Sequence, residues 1–275
     1  MASEGLQGHR ARKRFGQNFL HDRHWIERIA KAVNATDGDD IVEIGPGQAA
    51  LTRELIAGAG KVRAVEIDRD LAAWLKETFP ESLSLIEADA LTLDWTQVAK
   101  NDNLRVVGNL PYNISSPLLF KLLEAADHVK DQHFMLQKEV VDRMVAQHGS
   151  KTYGRLSVML QWRYRMQKLF DVPPGAFNPP PKVMSSVVRM ISKAKEEVPS
   201  VDFELFSSVV ANAFSQRRKT IRNALSALLS AEEIAACDVD PGARAEALPL
   251  DAFVRLAQKA EALGRKAVTP GTTVD

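Results

Sequence analysis

The sequence predicts an α/β fold, an open sheet flanked by helices, with a small all-helical domain behind it. Short apolar runs alternate with segments of helical periodicity from Trp25 to Ile191. Two of those runs break into tight turns, Gly45-Pro46-Gly47 and Asn109-Leu110-Pro111-Tyr112. Both turns fall at the carboxyl ends of predicted strands, where open α/β sheets bind ligands. After a polar, charged stretch at 192–200, apolar residues recur only at helical spacing. The expected division is a basic arm at 1–24, an α/β domain at 25–195, a helical domain at 200–265 and a flexible tail at 266–275.

The elements follow in order. Residues 1–24 carry Arg10, Arg12, Lys13, Arg14 and Arg23 with three histidines, against Glu4 and Asp22, and Phe15 and Phe19 interleave with them. Such an arm suits a nucleic-acid backbone. It equally suits a solvated tail with two phenylalanines pinned to the core. A helix is expected over 25–34, then a strand over 40–44 that runs into the glycine turn and a helix bearing Leu51, Leu55 and Ile56. A strand over 62–66, a helix over 71–79 and a strand over 83–86 come next. The run Leu104, Val106, Val107 reads as a buried strand that Pro111 stops, since proline cannot donate to a ladder. Ser115 or Ser116 is the expected cap of the following helix, with Pro117 in its first turn.

Residues 134–136 predict a fifth strand and 137–143 the start of a helix; 156–169 read as a helix passing into a strand. The loop 173–182 holds five prolines around Phe177. It would present Phe177 rigidly, or serve as a linker with one buried ring. A last strand is expected over 186–191. Beyond the boundary, Phe206, Val209, Val210, Ala213, Phe214, Ile221, Leu225 and Leu228 predict helix. Arg217, Arg218, Lys219 and Arg222 form a basic cluster there, with Arg218 and Arg222 expected on one helix face. A solvated face is the ordinary fate of such a cluster; turned toward the mouth of the first domain it would track phosphates. Further helices fit 231–236 and 250–262.

Composition narrows the function classes. The 275 residues carry 36 basic and 35 acidic side chains, so overall charge does not point to a nucleic-acid partner. Cys237 is the only cysteine, which excludes an intrachain disulfide and fits a reducing cytoplasm. No run approaches the roughly 18 apolar residues of a membrane helix. The six histidines do not pair at ligand spacing, so no metal site is expected.

Side-chain chemistry at the strand ends is more informative. The glycines of Gly45-Pro46-Gly47 let backbone N–H groups approach a ligand. Glu66, about 20 residues on, is placed to accept ribose hydroxyls. Asp89, past the third strand, would meet an adenine amino group. Asn109 offers an amide oxygen, and Leu110 or Pro111 a carbonyl, so that two acceptors could grip an exocyclic amine. Tyr112 supplies a stacking face, which Phe177 would complete. The same residues equally suit a plain strand-to-helix turn with a half-buried Tyr, since Asn and Pro are ordinary turn residues. Gly45 to Ala50 also matches the dinucleotide pattern G-x-G-x-x-A. Glu43, Glu66, Asp89 and Asn-Leu-Pro-Tyr favour S-adenosylmethionine over NAD, because a dehydrogenase has no use for an amine clamp on that lip.

With these residues in place, the chain resembles the bacterial ribosomal RNA small-subunit adenine dimethyltransferases. The resemblance rests on Arg-Lys-Arg-Phe-Gly-Gln-Asn-Phe-Leu (12–20), Glu-Ile-Gly-Pro-Gly (43–47), Asn-Leu-Pro-Tyr-Asn-Ile-Ser (109–115), Gln-Lys-Glu-Val (137–140), Tyr-Gly-Arg-Leu-Ser-Val (153–158), the Phe177 loop, and the basic run from Phe214 to Asn223. It implies a class I S-adenosylmethionine-dependent methyltransferase: a Rossmann-like, seven-stranded, mostly parallel sheet with a small C-terminal helical domain. It implies S-adenosyl-L-methionine as cofactor, held by Asn18, Leu20, Gly45, Glu66, Asp89 and Asn109. The substrate it implies is two adjacent adenosines in a hairpin loop near the 3′ end of small-subunit rRNA, each dimethylated on N6 late in subunit assembly. Expected catalytic residues are Asn109, Leu110, Pro111, Tyr112 and Phe177. Expected RNA-binding residues are Arg12, Lys13, Arg14, Arg217, Arg218, Lys219 and Arg222. The expected partners are the small ribosomal subunit and its rRNA, with no membrane, and the working form a cytoplasmic monomer. Three alternatives stand beside this: a non-catalytic binding protein on the same fold, a dehydrogenase, and a methyltransferase acting on single adenines of another RNA.

Overall fold

The structure is a computed structural model that describes residues 6, 11–12, 16–99, 102–216 and 218–270. It divides into two compact units. One comprises the described residues of Met1–Val141 with Arg165–Ser192; the other, Asp142–Tyr164 with those of Lys193–Asp275.

In the first unit a short strand β1 (Phe19–Leu20) precedes α1 (Arg23–Val33), whose amino end Asp22 caps by accepting from the His24 N–H. There follow β2 (Ile41–Ile44), α2 (Ala50–Ala59), β3 (Val62–Glu66), α3 (Arg69–Thr78), β4 (Leu83–Glu87), α4 (Trp95–Val98), β5 (Leu104–Asn109), α5 (Ser115–Leu123), β6 (Val129–Gln137) and α6 (Lys138–Met144). After α7 (Arg155–Arg163), the chain continues through β7 (Tyr164–Val172), β8 (Phe177–Asn178) and β9 (Ser185–Ser192). Among the described residues one seven-stranded sheet runs β4-β3-β2-β5-β6-β9-β7. Strands β2 to β6 pair in parallel and β9 joins β6 antiparallel.

This order decides where a ligand can sit. The chain winds outward from β2 to β4, then returns to the other side of β2 as β5. The crevice at such a reversal is the binding place of open α/β sheets. Ile44 pairs with Gly108, so the two turns seen in the sequence leave the sheet side by side. The approach is close because residue 108 is glycine: a Cβ there would stand 2.7 Å from the Ile44 carbonyl oxygen.

At the opposite end of the strands, Arg105 is buried among charges. Its guanidinium meets Asp39 at 2.7 Å and Asp131 at 3.0 Å, and donates to the Val33 carbonyl at 2.6 Å, tying the end of α1 to β5 and β6.

The helix after β5 starts differently from the expectation. Ser115 is already helical and Ile114 occupies the cap position; the Ser115 hydroxyl donates to the Pro111 carbonyl at 2.9 Å.

The second unit holds α7, α8 (Phe203–Ala213), α9 (Ile221–Ala224), α10 (Ala231–Ala235) and α11 (Leu250–Ala262). Three sequence expectations change here. Residues 142–164 fold with this unit and not with the α/β domain, because Trp162 packs its ring against Phe203 and Phe206 and Tyr153 packs against Phe214. The helix expected through the basic cluster is broken. Helix α8 ends at Ala213 and α9 begins at Ile221, with Thr220 bridged to Arg244, so Arg218 and Arg222 do not share one helix face. The tail is also held as far as Val268, whose carbonyl accepts from Ser208 and Asn212 and whose N–H donates to the Ser208 hydroxyl at 2.9 Å.

Candidate active site

A cavity of about 330 Å³ opens at the β2/β5 reversal, lined by the glycine turn, Glu43, Glu66, Asp89, residues 16–20 and 108–114. Of the expected cofactor positions, Asn18, Leu20, Gly45, Glu66, Asp89 and Asn109 all line it. So do Leu110, Pro111 and Tyr112.

The glycine turn depends on backbone angles that other residues avoid. Gly45 and Gly47 have φ of +66° and +56°. A Cβ on Gly47 would also meet the Phe19 ring at 3.0 Å. The Gly47 N–H donates to Glu66 Oε2 at 3.3 Å, and the Asp68 N–H donates to Glu66 Oε1 at 2.9 Å. Burial pushes the Glu66 carboxyl above its usual range, against the pull of the Asp68 and Gly47 N–H groups. Asp89 accepts from the Leu91 N–H at 2.9 Å through one oxygen, which fixes its carboxylate at the mouth of β4.

Glu43 is the residue the sequence reading named without giving it a place in the site. It is 3% exposed, and its Oε2 has no partner. Burial pushes its carboxyl up to about 7, the nearby Glu66 charge adding to the effect. A buried carboxyl with one oxygen unpaired at a cavity wall would be favoured in its charged form by a cation bound there. With Glu66 beside the glycine N–H groups for hydroxyls and Asp89 for an amine, the donor set fits a nucleoside bearing a positive charge.

Nδ2 of Asn109 donates to the Asn18 carbonyl at 3.0 Å, so Oδ1 is the atom left to accept. The Pro111 carbonyl is taken by the Ser115 hydroxyl and by the Ile114 N–H at 3.2 Å. Of the two carbonyls considered from sequence, this leaves that of Leu110 as the second acceptor. The Tyr112 hydroxyl bonds the Ser185 hydroxyl at 2.7 Å, which fixes the half-buried ring by its far end.

Other expected residues stand elsewhere. Phe177 is 2% exposed in the apolar cluster with Leu20, Ala176 and Val187, and does not line the cavity. Its strand β8 pairs antiparallel with β1, Leu20 opposite Phe177. Arg12 is engaged by Asp68 at 3.0 Å and by Asp70, so its charge is committed within the protein. Lys13, Arg14 and Arg217 lie outside the described residues. Arg218, Lys219 and Arg222 are exposed in the second unit.

A family model for ribosomal RNA adenine dimethylases matches residues 8–261. The chain belongs to that family. It is 57% identical to the ribosomal RNA small subunit methyltransferase A of Thiobacillus denitrificans, over 87% of this chain and 94% of that protein. It is 52% identical to the protein of the same name in Pseudomonas aeruginosa, over 95% and 99% of the two chains. Among solved structures, a dimethyladenosine transferase from Plasmodium falciparum matches with a TM-score of 0.80 at 25% identity, over 91% of this chain and all of that one (100%). The 23S rRNA methyltransferase ErmE matches with a TM-score of 0.69 at 26% identity, over 89% and 100%. The sheet of this dimethylase is therefore that of a class I methyltransferase. No helix among its described residues is long and apolar enough to cross a membrane.

Proposed function

We propose that this protein dimethylates the N6-amino groups of two adjacent adenosines in a hairpin loop near the 3′ end of small-subunit (16S) rRNA. It uses S-adenosyl-L-methionine and works on the small ribosomal subunit late in assembly, as a cytoplasmic monomer. The observation that carries the reading is the Asn109 amide, whose nitrogen is held by the Asn18 carbonyl in a turn that lines the cavity together with Leu110. Relatives named for small-subunit rRNA, at more than half identity, support the choice of RNA.

When bound, S-adenosylmethionine supplies a methyl group made electrophilic by its sulfonium. Glu43 complements the positive charge, Glu66 accepts the ribose hydroxyls and Asp89 accepts from the adenine amine of the cofactor. The substrate adenosine leaves its stack at a few kcal/mol, and Tyr112 receives its face, worth about 1–3 kcal/mol. Asn109 Oδ1 and the Leu110 carbonyl each accept one N6 hydrogen. That holds the nitrogen in place and draws its lone pair out of ring conjugation. No strong base is needed, because the amino nitrogen becomes acidic once methylated and loses its proton to water afterwards. The second transfer proceeds with one hydrogen still gripped. Aspartate at 109 would not substitute, since it has no N–H for the Asn18 carbonyl.

Mass-spectrometric mapping of methyl groups on small-subunit rRNA, from cells with and without this protein, tests the reading. Two neighbouring dimethyladenosines that vanish with the protein are expected. Methylation lost from large-subunit RNA instead would transfer the assignment to the ErmE-like activity, and no change at all would remove it.

A further inference from the structure

The cluster around Asp68 is joined to the Asn109 clamp through residues 17 and 18. Asp68 is fully buried. Its Oδ1 accepts from the Asp70 N–H at 3.1 Å and from the Arg12 guanidinium at 3.0 Å. Its Oδ2 accepts from Gln17 Nε2 at 3.1 Å, and the Arg12 N–H donates to Gln17 Oε1 at 2.7 Å. The next residue along is Asn18, whose carbonyl takes the Asn109 amide nitrogen. Gly16, at φ +62°, lies against Asn113 and Pro111 of the same turn.

We infer that Arg12, Gln17 and Asp68 are positioning residues for methyl transfer, a latch that holds the Asn18 carbonyl where it selects the acceptor orientation of Asn109. The physics is that of an amide that can turn over. Rotated by half a turn, Asn109 would present NH₂ to the substrate amine, donor against donor. It would also set its oxygen against the Asn18 carbonyl. A firmly held Asn18 makes that orientation unfavourable; a loose one permits it. The latch also reaches the cofactor side, since the Asp68 N–H donates to Glu66 at 2.9 Å. Arg12, read from sequence as an RNA contact, acts here through the catalytic amide.

The activity half of this inference rests on the proposed function; a structural readout stands apart from it. Arg12→Met, Arg12→Lys and Gln17→Ala would be compared in the full chain, with side-chain amide exchange of Asn109 followed by NMR and its resonance located by loss in Asn109→Ala. Exchange about tenfold faster in Arg12→Met and Gln17→Ala, restored in Arg12→Lys, is expected. On unmethylated small subunits, kcat should fall about tenfold, ~1.4 kcal/mol, with the KM for RNA and its salt slope unchanged. Unaltered Asn109 exchange overturns the latch. So does retained kcat with a salt slope reduced by about 1, which would make Arg12 a phosphate contact. A wild-type protein that transfers no methyl group would defeat the functional reading, while the exchange data still decide the latch.

Discussion

An asparagine that must accept from an amine needs something to occupy its own NH₂, and Asn18 supplies it at 3.0 Å. Asn109→Ala should therefore abolish transfer of label from the cofactor while the fold and circular dichroism stay intact and cofactor binding weakens at most modestly. Asn109→Asp should be far below wild type although it keeps an oxygen in place. Glu43 gives a pH test. Its pKa, raised by burial to about 7, means the folded protein holds a proton that the unfolded chain releases near 4.5. Stability from this group is thus present below pH 4.5 and lost as pH rises through 7. Glu43→Gln should raise the stability of the ligand-free protein at pH 8 by about 1–2 kcal/mol and change little at pH 4.5, read by thermal melts at the two values. Much of this scale was legible in the sequence: spacing along strand ends brought Gly45, Glu66, Asp89, Asn109 and Tyr112 to one lip. The direction of Phe177 was not, because five prolines make a loop rigid without saying which side its ring takes. Nor was the partner of Arg12, since composition records a charge and not the Asp68 that meets it.

At the scale of elements, the site exists because β2 and β5 are neighbours and end together. Gly108→Ala would drive a methyl into the Ile44 carbonyl and separate them. A loss of about 1–3 kcal/mol in urea unfolding is expected, together with weaker cofactor binding, since the glycine turn and the Asn109 turn would no longer be aligned. The strands were readable because those in the middle of a parallel sheet are buried on both faces and appear as unbroken apolar runs such as Val106-Val107. The break between α8 and α9 was hidden. Neither Gly nor Pro marks it, and the Thr220–Arg244 bridge that fixes it joins residues far apart in the chain. Arg218 and Arg222 are exposed in that unit, and we propose that they meet phosphate. Replacing both with glutamine should lower the salt slope of RNA binding by about 2 without shifting the melting temperature; an unchanged slope would return them to solvated surface.

For the whole molecule, the Arg105 cluster commits a buried guanidinium to two carboxylates away from the site. Burial would raise Asp39 and Asp131, but the Thr36 N–H for the former, His133 for the latter and Arg105 for both hold the two carboxyls below their usual values. Their contribution is complete above about pH 4 and is lost as pH falls through the lowered folded values. Arg105→Met should cost about 2–4 kcal/mol at neutral pH, because two partly buried carboxylates lose their counterion. It should also flatten the decline in stability below pH 4, as followed by urea titrations. The boundary between units was only partly readable, since residues 142–164 join the helical unit through aromatic packing that no local signal announces. In the function we propose, geometry at Asn109, and not an acid or base, moves the methyl group to adenine. Single-turnover transfer of labelled methyl to unmethylated small subunits at saturating S-adenosylmethionine, where Glu43 is held in its charged form throughout, tests it most directly across pH 6 to 9. Dimethyladenosine formed by the wild type at a rate that barely changes with pH, and by Asn109→Ala not at all, is the result expected. Label that reaches adenine as readily in Asn109→Ala would contradict the claim.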